Sequence, residues 1–408
     1  MRMVLLLDIA YLLAIPFLVF FAILSRIKGH PRREDLRGRL GAGEELEAHP
    51  RRVLLHAVSV GEVNAIRLLV EELKAKDFDV VVCVTTDTGL KRAKELYEEN
   101  HTVTRFPFDF GFAIKKFLQR VKPTVIGLVE LEVWPNLIGI CAKKKIPVVV
   151  INGRLSERSY KRYKLVSFIL RKTFSRLSAI GMQTEEYATH VRELGGVNVQ
   201  VLGTMKWDNA ILSNTVEGAN ELAADLQIDK SKPLIVAGST TSEEHVLLLA
   251  SIPKNAQLLC APRRPEWFDE AAQMLAPCNR RTSSERQTTQ TFLLDTIGEL
   301  DKAYALADIV IIGRSFSPHH GSDPVQAIAF GKPTIIGPNV LDFKDMVQQL
   351  VDGGGLLQCS KENLQEQITL LLSDTTKCNA LAACGREVIQ SQQGATKKYA
   401  QLIMDNTP

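Results

Sequence analysis

The chain has 408 residues, of which 45% are hydrophobic and 24% charged, with a formal net charge of +4. That length exceeds one ordinary core and calls for two domains, and the small net charge gives no footing for nucleic acid as a partner. Seven scattered cysteines without a Cys-x-x-Cys pair argue against a zinc centre or redox motif and fit a reducing compartment.

In chain order, residues 3–24 are apolar except for Asp8, a stretch long enough to span a bilayer. No small-residue cleavage pattern accompanies them, so residues 1–26 read as a retained anchor, either spanning or lying in the interface. Arg26, Lys28, Arg32 and Arg33 follow directly. Basic residues at that place put the remainder on the cytoplasmic face, against anionic lipid.

From residue 53 short apolar runs alternate with helical periodicities. Strands are expected at 53–56, 80–85, 124–129, 147–151, 179–182 and 199–202, with helices at 63–74, 89–97, 112–121, 135–144 and 164–177 between them. Residues 209–232 lose this rhythm and read as a linker. Strands resume at 234–237, 257–261, 291–294, 309–312 and 333–336, and helices close the chain. The expected fold is therefore α/β: a Rossmann-like domain over 27–208 and a second over 233–408, with a cleft at the carboxyl edges of their parallel sheets.

The heptad His56-Ala57-Val58-Ser59-Val60-Gly61-Glu62 falls on the first strand-to-helix turn, with Gly61 expected to supply the bend. Glu62 then lies in the first helical turn, where the dipole favours an ionised carboxylate able to take a proton from a substrate hydroxyl. The same Ser59-x-x-Glu62 spacing is also a capping box, which needs no chemistry at all. Glu130 and Glu132 alternate at a later strand end and are expected on one side of it.

In the second half four loops share a plan: 238–244, 261–266, 295–300 and 313–324. Small residues leading into helices, with arginines in proline-fixed turns, suit a phosphate. Asp323 reads as a helix N-cap with Pro324 in the first turn. The Asp77-Phe78-Asp79 triplet, the Asp-x-Asp pattern of metal-dependent sugar transfer, precedes a strand and reads as a solvated turn. Between Arg154 and Arg176 basic residues far outnumber the single Glu157 and are interleaved with Tyr160, Tyr163, Phe168 and Phe174. Val166, Ile169, Leu170, Phe174 and Leu177 would form one apolar face. That segment reads either as a surface for anionic lipid or as a helix packed on the sheet with a solvated basic face.

These motifs together resemble the Kdo transferases, membrane-anchored glycosyltransferases that move 3-deoxy-D-manno-octulosonic acid (Kdo) from CMP-Kdo to a lipid A precursor. The resemblance rests on the heptad, Glu130-Leu131-Glu132-Val133-Trp134-Pro135-Asn136, Asn152-Gly153-Arg154-Leu155-Ser156 and Gly203-Thr204-Met205-Lys206-Trp207-Asp208. It continues through Pro262-Arg263-Arg264-Pro265-Glu266 and Gly298-Glu299-Leu300 with Tyr304. It implies a two-domain GT-B fold at the inner membrane, inverting transfer, and neither metal nor cofactor. By position it implies Glu62 as general base and CMP contacts at Pro262, Arg263, Ile297, Gly298, Glu299, Asp323, Pro324, Val325 and Gln326. Ser59, Glu130, Glu132, Arg154 and Lys206 are candidate acceptor or Kdo contacts.

The chain departs from the family in two loops. The family pattern Gly-Gly-His-Asn-Pro-x-Glu is here His320-Gly321-Ser322-Asp323-Pro324-Val325-Gln326, and Thr241 replaces a usual histidine. Gln326 accepts a ribose hydroxyl without the charge-assisted strength of a carboxylate. Two other readings stay open on the sequence: a membrane-anchored transferase using another nucleotide sugar, and a binding protein whose donor site has decayed.

Overall fold

The computed structural model describes residues 35–408. The expected anchor, residues 1–26, lies outside the described residues. Among the described residues no helix is long and apolar enough to cross a membrane. The chain forms two compact units. One runs to Asn209 and takes in Gln393–Pro408; the other is Ala210–Gln392.

The first unit is built on seven strands: β1 (Arg52–Ala57), β2 (Asp79–Val84), β3 (Thr102–Arg105), β4 (Val125–Val129), β5 (Val148–Gly153), β6 (Ala179–Met182) and β7 (Val199–Val201). All pair in parallel, in the order β3-β2-β1-β4-β5-β6-β7. Helix α1 (Leu36–Arg39) precedes the first strand, and α2 (Val60–Ala65), α3 (Arg67–Lys74), α4 (Asp87–Tyr97), α5 (Gly111–Val121), α6 (Pro135–Lys144), α7 (Glu157–Leu165), α8 (Ser167–Phe174) and α9 (Glu185–Glu193) connect the strands.

Strands covered by helices on both faces read as continuous apolar runs, which is why β1, β4 and β5 are buried along their whole length. Alternate residues serve opposite faces. Leu54, Ile126 and Leu128 pack with Phe117 and Leu137, whereas Val53, Leu55 and Val125 pack with Ile66, Leu69 and Leu73. Each such side chain contributes roughly 1.5–3 kcal/mol by leaving water.

The second unit repeats the plan. It contains α10 (Ala219–Leu226), β8 (Leu234–Thr240), α11 (Ser242–Ser251), β9 (Gln257–Pro262), α12 (Phe268–Met274), β10 (Asn279–Arg280), β11 (Thr291–Leu293) and α13 (Leu300–Leu306). After these come β12 (Ile309–Ile312), α14 (Val325–Ala329), β13 (Thr334–Ile336), α15 (Lys344–Asp352), β14 (Leu357–Gln358), α16 (Leu364–Ser373) and α17 (Thr375–Gln392). Its parallel sheet runs β10-β11-β9-β8-β12-β13-β14.

Several boundaries differ from the sequence expectation. The expected linker contains α10, which belongs to the second unit. The expected domain over 233–408 loses its end to the first unit. There α18 (Ala395–Asp405) buries Tyr399, Leu402 and Ile403 in the same cluster as α3. The helix expected over 63–74 breaks at the buried Ile66, and that over 164–177 starts earlier and breaks at Val166. Gly61 does not supply the bend. It lies within α2 without a positive φ, and a Cβ on it would meet only Ser59 Oγ, at 3.7 Å.

Candidate active site

In an open α/β sheet the ligand crevice forms where neighbouring strands run their connections in opposite directions. In the first unit that point lies between β1 and β4. Glu62 follows β1, and Glu130 and Glu132 follow β4. Glu130 has φ 57° and Asn152, at the end of β5, φ 53°. Ser239 and Arg314 in the second unit have φ 57° and 62°. Four of the non-glycine residues with positive φ thus sit at the carboxyl ends of strands, while others, Lys122 and Lys145 among them, only end helices. Glu130 therefore ends its strand, and the alternation expected to put Glu130 and Glu132 on one side does not apply. They come near each other through the turn.

Ser59 caps α2, its hydroxyl accepting the Glu62 N–H at 3.4 Å and donating to Glu62 Oε1 at 2.9 Å. Glu62 Oε2 accepts the Val58 N–H at 2.8 Å. The capping arrangement is therefore real, but it does not explain the electrostatics. Glu62 is 8% exposed. Burial, reinforced by the nearby Glu130 and Glu132, raises its pKa to about 7 against the opposing Val58 and Ser59 hydrogen bonds. Burial and Glu130 also raise the Glu132 carboxyl. The dipole-stabilised, fully ionised carboxylate expected from sequence is instead poised near neutrality, where a general base works best.

Other residues of the motifs have structural work. His56 is fully buried, its ring centroid 3.9 Å from that of Phe106 and tilted against it by 32°. Its Nε2 lies 2.9 Å from Thr85 Oγ1, and burial together with Arg39 lowers its pKa to about 3. It is a neutral packing residue. The buried Asp109 accepts the Asn136 and Leu137 N–H groups at 2.9 Å each and so fixes the start of α6 behind Trp134. A cavity of about 330 Å³ lies beside Trp134, with Arg39, Thr86 and Asp109 in its lining; Glu62 does not line it. Arg154 and Lys206 follow β5 and β7 on the same edge, both half-buried. Asp79 opens β2 at the opposite edge and receives Arg52 Nε at 2.6 Å, so the Asp-x-Asp triplet stands apart from Glu62.

Among the described residues one group has metal-ligand spacing, Glu157, Glu186 and His190, within 4.8 Å of one another. His190 is already satisfied there, with Nε2 3.1 Å from Glu157 Oε2 and Nδ1 3.1 Å from the Leu155 carbonyl. Beyond it the basic segment resolves into α7 and α8. Of the expected apolar face, Phe174 and Leu177 are core residues, as the reading of a helix packed on the sheet requires. The apolar surface is instead Leu165, Val166 and Phe168 at the helix break, exposed at 81%, 42% and 78%, with Lys161, Arg162, Lys164, Arg171 and Lys172 exposed around them.

In the second unit the reversal point lies between β8 and β12. Pro262 ends β9, and the Arg263 N–H bonds the Thr240 carbonyl at 3.0 Å, leaving an exposed guanidinium. Ile297 is 70% exposed beside Gly298, whose φ is 92° and whose missing Cβ faces open space within 4 Å. The Glu299 carboxylate is engaged: Thr296 Oγ1 at 2.7 Å, Lys302 Nζ at 3.0 Å and Arg281 Nε at 3.1 Å. Burial would raise its pKa, but these partners hold it down at about 2.

Asp323 Oδ1 accepts the Val325 N–H at 2.9 Å, so the helix opens one residue later than expected, with Pro324 flanking it. Val325 is buried; the Gln326 side chain is half-buried at the loop. The sequence reading passed over Glu244. It is 2% exposed and accepts three backbone N–H groups, those of Thr241 (3.0 Å), Arg314 (2.8 Å) and Phe316 (3.0 Å). The Thr241-x-x-Glu244 capping box marks it in the sequence; its long-range bonds carry no such mark.

A family profile described as 3-deoxy-D-manno-octulosonic-acid transferase (kdotransferase) matches residues 34–209. The 3-deoxy-D-manno-octulosonic acid transferase of Haemophilus influenzae is 30% identical over 409 aligned residues, covering 95% of each chain. That of Bordetella pertussis is 28% identical over 86% of this chain and 87% of its own. Among solved structures, a glycosyltransferase from Rickettsia africae superposes with a TM-score of 0.61 at 13% identity, over 88% of this chain and 99% of its own. Anabaena Alr3699/HepE in complex with UDP gives 0.61 at 14%, over 87% and 100%. These structural likenesses show the fold alone: two parallel-sheet α/β domains of the GT-B kind.

Proposed function

Because this chain belongs to the 3-deoxy-D-manno-octulosonic acid transferase family, a family of glycosyltransferases, we propose that it moves Kdo from CMP-Kdo to a lipid A precursor at the inner membrane. The observation that carries this reading is 30% identity to the Haemophilus influenzae transferase across 95% of both chains. The chemistry is a single displacement. Glu62 takes the proton from the acceptor hydroxyl as its oxygen attacks the anomeric carbon, the bond from that carbon to the phosphate oxygen breaks, and CMP leaves. Arg263 offsets the charge that grows on the departing phosphate. Backbone at Ile297 and Gly298, with Pro262, Pro324, Val325, Glu299 and Asp323 shaping the loops, holds the nucleotide. Burial, reinforced by Glu130 and Glu132, keeps the Glu62 pKa near neutrality, and Ser59 orients it; Arg154 and Lys206 meet anionic groups of the acceptor or of Kdo.

The test is incubation with freshly made CMP-Kdo and tetraacylated lipid A precursor, followed by mass measurement of the lipid. A Kdo increment is expected. No increment, with UDP and not CMP raising the melting temperature, overturns the reading. Within it, Gln326→Glu is expected to tighten CMP binding about fivefold, since a charge-assisted hydrogen bond exceeds a neutral one by roughly 1 kcal/mol. Calorimetry showing equal or weaker binding means that the loop has been rebuilt around glutamine.

The acceptor is a lipid, and the apolar break at Leu165, Val166 and Phe168 within a basic surface suits anionic membrane. With residues 1–26 deleted, the protein is expected to keep vesicle binding that high salt abolishes and that Leu165→Glu with Phe168→Glu weakens. Sedimentation unchanged by salt and by both substitutions would remove this surface from the account.

A further inference from the structure

The loop after β12 places a second cation at the donor edge. Arg314 follows Gly313 at the reversal point between β8 and β12. Gly313 admits the close approach of the two loops: a Cβ there would lie 2.6 Å from the Ser239 carbonyl oxygen. Arg314 itself takes φ 62°, a region in which a long side chain is strained. Four hydrogen bonds hold it there. Its N–H donates to Glu244 Oε2 at 2.8 Å, and the Phe316 N–H donates to Glu244 Oε1 at 3.0 Å. Its carbonyl accepts the Gly321 N–H at 3.0 Å, and its Nη2 donates to the His319 carbonyl at 2.7 Å. Strain that is over-determined in this way marks a position held for use.

The surroundings indicate what the use is. Arg314 is half-buried, and burial with the adjacent Arg263 and Arg264 pushes its guanidinium below the usual range. The acids within electrostatic reach are Asp342, which is exposed, and Glu244, whose oxygens are occupied by backbone N–H groups. Among the described residues neither Arg263 nor Arg314 has a carboxylate in an ion pair. Arg264 lies over Trp267 and pairs with Glu266. In the same loop Ser322 is 6% exposed, and its hydroxyl has no hydrogen-bond partner among the described residues. Arg263 and Arg264 gathered about Arg314 against one exposed acid, Asp342, beside an unsatisfied buried hydroxyl, form an arrangement that an anion completes.

We propose that Arg314 and Arg263 together form an oxyanion site that grips the donor through its phosphodiester or its sugar carboxylate. This rests on the donor reading above and adds to it a residue that the family resemblance does not assign.

Arg314→Gly is the discriminating variant, because glycine accepts the left-handed conformation. The full-length variant is expected to melt at or above the wild-type temperature, while KM for CMP-Kdo rises about tenfold to a hundredfold, the loss typical of a charge-assisted contact. Arg314→Lys is expected to recover part of that loss, since it keeps the charge without the fork. Calorimetry with cytidine and CMP separates the two anions. A phosphate contact shrinks the advantage of CMP over cytidine about tenfold or more; a carboxylate contact leaves CMP unchanged and moves only the KM for CMP-Kdo. Unchanged CMP affinity with unchanged KM overturns the proposal, as does a fall in melting temperature that tracks the loss of activity without rescue by lysine. A wild-type protein that binds no CMP overturns the donor reading itself, an outcome seen before any variant is made.

Discussion

Glu62→Gln is expected to lower the transfer rate by about two to four orders of magnitude while CMP affinity stays at the wild-type value. Glutamine fits the local bonds: its carbonyl can accept the Val58 N–H and its amide can donate to Ser59 Oγ, at the positions Glu62 now fills at 2.8 and 2.9 Å. What glutamine lacks is the ability to take a proton. The wild-type rate is expected to fall below about pH 7, as the buried carboxyl becomes protonated, and the variant should lose this limb.

Stability should move the other way. A carboxyl whose folded pKa is about 7 against an ordinary 4.5 favours the native state while protonated, and that contribution is lost as pH rises from about 4.5 through 7. Ionising Glu62 in place therefore costs roughly 3 kcal/mol. Glu62→Gln, neutral throughout, should melt higher than wild type at pH 8 and about equally at pH 5. Initial rates and melting curves at both pH values check the pair. If Glu62 were only a helix cap, glutamine would serve equally well and the rate would stay near normal. The proton acceptor would then be sought at Glu130 or Glu132.

The sequence shows Glu62 and its place after the first strand because both signals are local: an apolar run, then Ser-x-x-Glu at the head of a helical periodicity. Its raised pKa is not local. It comes from burial and from residues about seventy positions away, brought close by the parallel pairing of β1 with β4. Central strands such as β4 are legible because both faces are covered. β3, whose threonines flank a single Val103, and the two-residue β10 and β14 carry too little apolar signal to be read. The return of α18 to the first unit is invisible for a related reason: its apolar residues announce a buried face but not which sheet buries it. Arg314 reads as one more loop arginine until its positive φ and its tie to Glu244 are known.

Glu244 supplies the second large effect, on the fold of the donor loops. Glu244→Ala would strand three backbone N–H groups, those of Thr241, Arg314 and Phe316, beside a side chain now 2% exposed. Each buried donor left unpaired costs about 1–3 kcal/mol, so a loss of several kcal/mol and a fall on the order of 10 °C in the melting of the second unit are expected. Glu244→Gln is expected to rescue little, unlike most such exchanges. Oε2 serves Thr241 and Arg314 together and Oε1 serves Phe316, so whichever way the amide is turned its NH₂ meets an N–H donor. Donor binding should fall with stability in both variants, because the same carboxylate ties the 238–244 loop to the turn that carries Arg314. Glu244→Asp keeps the charge but is one methylene shorter, and should lie between wild type and the alanine variant. Thermal melting with and without CMP reads both effects. A glutamine variant with wild-type melting and wild-type CMP binding would show that the two loops are held together by something other than this carboxylate.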